Sequence, residues 1–190
     1  MAFRLSTNDE ILHAFDPLHH AHTTIDVTHR VAHDGFMHHA SGKVTGMVAD
    51  NVDDFLITTP AGVYPHLQRV NFDFGDGDID IQTYHSSTTS APGTTLANLN
   101  TNRNSSKTAG AVLSFGPTVT GIGTLMHTAW APPTATGNGQ SAAGISDIEN
   151  GEEWILAPSS KYIIRVTNGS GSEIEYRYEF LWYELDFAVP

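Results

Sequence analysis

Eight of the eleven histidines fall between residues 13 and 39, at His13, His19, His20, His22, His29, His33, His38 and His39. Neutral imidazole is the commonest metal ligand, and His20-Ala21-His22 has the i, i+2 spacing that sets two rings on one face of a strand, so zinc, iron or copper chemistry is conceivable there. A small β-barrel metalloenzyme would add a nearby Glu, yet no Glu occurs between Glu10 and Glu149. Asp16, Asp26 and Asp34 could substitute, but eight histidines among sparse, aperiodic apolar residues read as a packing arm without fixed ligand geometry. No metal site and no cofactor are assigned. Asp73, Asp76, Asp78 and Asp80 around Gly75 and Gly77 suggest an oxygen cage for calcium. Against an EF-hand loop the Gly is misplaced and the closing Glu is missing, so these read as turn and outward strand residues.

Nucleophilic and phosphate-binding motifs are lacking: there is no Gly-x-Ser-x-Gly elbow, P-loop or His-Glu-x-x-His, and the Gly-x-Gly at Gly75 and at Gly121 opens no helix. The adjacent carboxylates Asp53-Asp54 and Glu152-Glu153 would point to opposite faces of a strand and could not act on one bond. The expectation is a protein without enzymatic activity. Tyr162, Tyr176, Tyr178, Phe180 and Trp182 could form a sugar-stacking platform, but their alternation reads first as the buried face of a sheet. Tyr183, facing the other way, and Trp130, beside Pro132 and Pro133, are the aromatics expected at a surface or interface.

What must position these residues is a chain of 190 residues with nine Lys and Arg against 21 Asp and Glu, a net charge of −12, and no cysteine. That length fits one ordinary domain. A basic groove for nucleic acid is not expected, and neither a disulfide framework nor a thiolate metal site can form. No apolar run approaches the ~20 residues that span a bilayer as a helix, and residues 1–10 lack the layout of a signal peptide. Neither a nucleic-acid nor a membrane partner is expected.

The 17 Gly and nine Pro, with Thr- and Ser-rich tracts at 85–95 and 129–146, break the chain into short apolar segments, as in an all-β protein. Residues 1–42 are expected as an extended His-rich N-terminal arm with one short helix over 7–13, and 43–190 as the folded domain. Strands are expected at 54–59, 68–74, 78–84, 94–99, 111–115, 123–130, 153–156, 162–167 and in the alternating run from Ile174 to Trp182. Gly75-Asp76-Gly77 and Asn168-Gly169-Ser170-Gly171 carry turn chemistry, so 68–74 with 78–84, and 162–167 with the last strand, are expected as β-hairpins. Residues 100–107 and 131–147 are expected as irregular loops. Eight or nine strands without βαβ rhythm or fixed-period repeat argue for an antiparallel jelly-roll β-sandwich.

In this order the segments resemble a known group. The run Thr59-Pro60-Ala61-Gly62-Val63-Tyr64-Pro65-His66-Leu67 is followed by Tyr84, Gly93-Thr94, Asn100-Thr101-Asn102-Arg103-Asn104-Ser105 and Gly123-Thr124. Glu153-Trp154-Ile155-Leu156, Lys161-Tyr162, Val166-Thr167-Asn168 and Phe180-Leu181-Trp182-Tyr183-Glu184 complete it. With His29-Arg30-Val31-Ala32-His33-Asp34-Gly35 and Ser41-Gly42, this is similar to small virion structural proteins of tailed bacteriophages, over roughly residues 25–186. The likeness lies in the order of short motifs, none diagnostic alone. It implies a non-enzymatic jelly roll built into the particle, a capsid decoration or cement protein first and a head-fibre or tail-associated, carbohydrate-binding protein second. The implied partners are the major capsid protein or other virion proteins and further copies of the chain. The implied location is the capsid surface, after assembly in the host cytoplasm. The interface candidates are His20, His22, His29, His33, Arg103, Trp130 and Tyr183. Imidazoles in the arm would charge on acidification, so release from the particle is expected to track pH between roughly 5 and 7.

Overall fold

A computed structural model describes residues 12–16, 21–25, 27–75, 77–132, 142–144 and 153–185. The strands are β1 Leu12–Asp16, β2 Ala21–Ile25, β3 Met37–Met47, β4 Val52–Thr58, β5 Tyr64–Phe74, β6 Ile79–His85, β7 Thr88–Ala91, β8 Thr94–Thr95, β9 Leu99–Asn100, β10 Val112–Phe115, β11 Thr118–Gly121, β12 Thr124–Ala131, β13 Ala142–Gly144, β14 Trp154–Ile155, β15 Lys161–Asn168 and β16 Ile174–Leu185. One helix, α1 Val27–His33, precedes β3.

The protein is all-β, with two antiparallel sheets in a sandwich-like arrangement. Sheet I runs β13-β5-β16-β3-β9, with β14 also pairing β5; sheet II runs β12-β6-β15-β4-β10-β8. Two small ribbons, β1 with β2 and β7 with β11, complete the pairing. The long pairs nest: β3 with β16, β4 with β15, β5 with β13 and β6 with β12. From β3 onward the long strands alternate: β4, β5 and β6 each lie in the sheet opposite the strand before.

That alternation overturns both expected hairpins. β5 and β6 lie in different sheets, as do β15 and β16, so neither pair is a hairpin and both connections pass from one layer to the other. The side-chain periodicity is as expected: Val70, Phe72 and Phe74 of β5 are buried in the same cluster as Ile79 and Ile81 of β6. Two amphipathic strands joined by a tight turn can bury their apolar faces side by side or across a core. Alternation is identical in both cases, so it does not distinguish them.

The core is centred on Phe55, which is fully buried with the rings of Phe72, Phe115, Tyr176, Tyr178 and Phe180 at centroid distances of 5.0–6.5 Å. Tyr176, Phe180 and Trp182 of the alternating stripe are buried, so that stripe is core rather than a sugar platform. Asp53 and Asp54 do face opposite ways. Asp53 accepts the Tyr176 hydroxyl at 2.9 Å from inside, and Asp54 takes a bidentate pair from Arg165 at 2.8 Å. Burial raises the Asp53 pKa, against the Tyr176 hydrogen bond.

The N-terminal segment is not one extended arm. Its described part contains the β1–β2 ribbon, with His13 opposite Thr24 and Phe15 opposite His22, and then α1. The expected helix over 7–13 lies outside the described residues except for Leu12 and His13, which are strand. The boundary at residue 42 falls inside β3, whose Met37 and Ala40 are already buried. Most of the expected 131–147 loop lies outside the described residues, and 142–144 form β13.

Candidate functional site

A seven-residue helix is too short to persist alone; α1 is held by packing and by its C-terminal cap. Val31 is buried with Met37 and Tyr183 in a second small core, flanked by Ala32, Phe36, Leu181 and Leu185 on the outer face of sheet I. At its end the Phe36 amide donates to Val31 O at 2.9 Å and the Gly35 amide to Ala32 O at 3.1 Å. This is the Schellman arrangement, with Gly35 in the left-handed region at φ 75° and Phe36 packed back on the helix.

The Asn-Thr-Asn-Arg-Asn-Ser run clasps that terminus. Asn100 Nδ2 donates to Gly35 O at 2.8 Å and Asn102 Nδ2 to His33 O at 2.7 Å, while the Thr101 amide donates to Met37 O at 3.0 Å. The Asn100 and Asn102 side-chain oxygens accept the amides two residues on, at 2.9 and 3.0 Å. These are Asx turns, which Asn favours by mimicking a backbone carbonyl. Lys107 Nζ sits 3.2 Å from the centre of the Phe36 ring. Arg103 and Lys107 of the clasp are exposed, as are His29, Arg30 and His33 of the helix, with Arg30 paired to Asp34 at 2.7 Å. In a chain of net charge −12 this hydrogen-bonded surface carries a local positive charge from Arg103 and Lys107.

Gly35→Ala is expected to loosen this surface. A Cβ there would lie 2.1 Å from Ser105 Oγ, and a left-handed Ala adds strain of about 1–2 kcal/mol. The measurement is hydrogen exchange, which should rise over residues 29–36 and 100–107 while β15 amides stay protected; unchanged exchange in both segments contradicts the account.

Below α1, His66 stacks on Tyr183 with ring centroids 4.4 Å apart. Its Nδ1 lies 2.9 Å from Glu153 Oε1, and Glu153 also accepts the Tyr183 hydroxyl at 2.8 Å and the Gln68 amide. Burial pushes the Glu153 carboxyl up, but the hydrogen bonds from His66, Tyr183 and Gln68 outweigh it and hold the pKa below the usual range. On the inner face His38 is 2% exposed, 5.8 Å from the Trp182 ring, and its pKa is lowered by burial against the opposing charge of Glu184.

A buried imidazole held neutral when folded gives stability present in full above its unfolded value of 6.5 and lost as pH falls. Unfolding free energy should therefore drop between pH 7 and 5 with a slope approaching about 1.4 kcal/mol per pH unit. His38→Gln should flatten that slope in urea titrations; an unaltered slope would show that another group carries it.

Of the expected interface residues, the structure brings together His29 and His33, and Arg103 is exposed in the loop next to Asn102, whose amide bonds His33 O. Tyr183 does face away from the aromatic stripe, but it is 4% exposed and lies beneath α1, so it is not a surface aromatic. Trp130 is 58% exposed on β12, at the far edge of sheet II, with its indole donating to Asp78. His20 lies outside the described residues, and His22 is in β2. Asp78 and Asp80 are exposed, and Asp76 lies outside the described residues. The His66–Glu153 and His38–Glu184 pairs went unread because their partners are 87 and 146 positions apart (153 − 66 and 184 − 38). Pro65-His66 and Trp182-Tyr183-Glu184, polar residues inside buried strands, were the only signal available.

Among the described residues no three His, Asp or Glu side chains converge as a metal shell, and no helix is long and apolar enough to cross a membrane. The fold and site thus define an all-β, sandwich-like protein with a basic, loop-clasped helix on its outer face. The chain matches no protein-family model, no curated protein and no solved structure.

Proposed function

We propose that this chain is a non-enzymatic structural protein of a virus particle, a jelly-roll sandwich that docks on the capsid surface as a decoration or cement protein. The nested pairing of β3 with β16, β4 with β15, β5 with β13 and β6 with β12 supports the jelly-roll reading. It is the pairing of one long hairpin rolled over on itself, an architecture used by viral capsid and lectin domains. The observation that carries the reading is the filled interior. The apolar void between Ile57, Leu67, Leu113, Leu156, Phe180 and Trp182 measures about 10 Å³, at the lower limit for a single water. The core between the sheets is therefore packed at this point, and the open clefts, of about 290–520 Å³, lie on the outside of the sandwich. The clasped α1 surface is the face assigned to the shell, and its basic groups suit an acidic capsid patch.

Self-association belongs to the same reading. β13, β8 and β9, the other ends of the two sheets, are two or three residues long, whereas β12 presents eight residues without a single charge. Leu125, Met126 and Trp130 are exposed along it. Short or charged edges keep sheets from pairing with one another, and β12 has neither protection. The absence of cysteine suits assembly in a reducing cytoplasm.

Exposed Trp130, fixed by Asp78 and opposite Asp80 in the register, favours a second reading as a carbohydrate-binding tip. An aromatic face beside carboxylates is how sugars are commonly held. Cryo-EM of intact particles distinguishes the two. Sandwich density repeating over the capsid lattice, with α1 and residues 100–107 against the shell, is expected. Density confined to a tail or fibre tip moves the role to attachment, where Trp130→Ala should abolish glycan-array binding. Absence of the chain from purified particles refutes both.

A further inference from the structure

We propose that His29 and His33 form a bidentate site for a divalent transition-metal ion, copper(II) or nickel(II). The two residues are four apart on α1, so their side chains share one face. Their Nε2 atoms are 3.0 Å apart, with ring centroids at 4.5 Å and planes inclined by 55°. In the metal-free state one Nε2 donates its proton to the other. Moving that proton to Nδ1 leaves both Nε2 atoms as lone-pair donors, and a rotation of the two exposed rings turns them from facing each other toward a common ion.

Two imidazoles four apart on a helix can occupy neighbouring positions of one ion, with metal–nitrogen bonds of about 2.0–2.1 Å. The choice of metal follows the ordinary preference of imidazole sites for copper and nickel over zinc.

The pair is held rather than left to a fraying helix end. The Schellman cap and the bond from Asn102 to His33 O fix the terminus, and buried Val31 anchors the opposite face. Arg30, between the two histidines in sequence, is paired with Asp34. Both imidazoles are exposed, so the remaining coordination positions face solvent and take water or a carboxylate of a docked partner. The site does not depend on the virion reading.

The test is a titration of the full chain with copper(II) chloride, followed in ¹H–¹⁵N spectra. Amides of residues 29–34 and 102–103 should broaden as copper approaches one equivalent, and zinc chloride should perturb the same amides at least tenfold more weakly. His29→Asn and His33→Asn should each abolish this broadening, while circular dichroism shows the fold unchanged; any copper taken up by the earlier histidines broadens other amides and is scored separately. Broadening of residues 29–34 that survives either substitution overturns the proposal. So does its absence until copper is in hundredfold excess.

Discussion

Asn168→Ala is expected to lower the unfolding free energy by about 3–5 kcal/mol, because this one amide ties together two adjacent crossings between the sheets. Asn168 ends β15 and is fully buried. Its Nδ2 donates to Met47 O at 3.0 Å, Val48 O at 3.1 Å and Ser172 O at 2.9 Å, two hydrogens shared among three carbonyls. Its Oδ1 accepts from the Ser170 amide at 3.0 Å and the Ser170 hydroxyl at 2.6 Å. Its own backbone bonds Asn51 O and the Asp50 amide. The end of β3, the turn before β4 and the arch into β16 therefore meet on one residue. Alanine removes every side-chain bond and strands the buried carbonyls. Asn168→Asp keeps the shape but cannot donate, so it should be at least as damaging. Urea unfolding followed by tryptophan fluorescence checks this, with the melting temperature expected to fall by about 10 °C or more. A loss under 1 kcal/mol for alanine would show that solvent satisfies the arch.

Glu184→Ala is expected to cost a similar amount, about 3–5 kcal/mol, by removing a buried carboxylate that three donors share. Glu184 is 7% exposed near the end of β16. It accepts the Gly110 amide at 2.7 Å, the Ala111 amide at 2.9 Å and the Trp182 indole at 2.9 Å. It fixes the entry into β10, and the space it fills explains Gly110, where a Cβ would sit 3.1 Å from its Oε2. Glu184→Gln keeps one accepting oxygen and turns an NH₂ toward the donors, so it should lose less, about 1–3 kcal/mol. Equal losses for both substitutions would mean that charge, not acceptor geometry, is what the site needs. Glu184 also holds the His38 pKa up against burial. Without it the imidazole stays neutral to lower pH, and the acid-driven loss of stability should continue further down the scale.

These two residues show where sequence reading stops. Asn168 is legible as a turn residue, because Asn-Gly-Ser-Gly between apolar runs has turn chemistry in any fold. That its amide would be the junction of two crossovers depends on residues 120 positions earlier, at Met47 and Val48. Glu184 in an apolar run reads as an outward residue until the 110–111 amides arrive beside it. The Asn100–Ser105 motif is similar: its Asx turns are local and foreseeable, but the helix terminus it clasps lies about 65 residues away.

Period-two alternation by itself determined the β class and the position and inward set of β5, β6, β15 and β16, since those depend only on side chains pointing to opposite faces; it did not show β3, most of which falls in or next to the segment expected as an arm. Composition by itself determined the acidic charge and the absence of thiol chemistry. Tertiary structure alone decided which sheet each strand joined and turned two apparent hairpins into crossings between layers. It also buried Tyr183 under α1 and set His29 and His33 side by side. The physical reason is that strand pairing and buried polar bonds are non-local. A turn sequence fixes the bend but not which side of the core the next strand takes, and a buried donor has no preferred acceptor until the sheets close on each other.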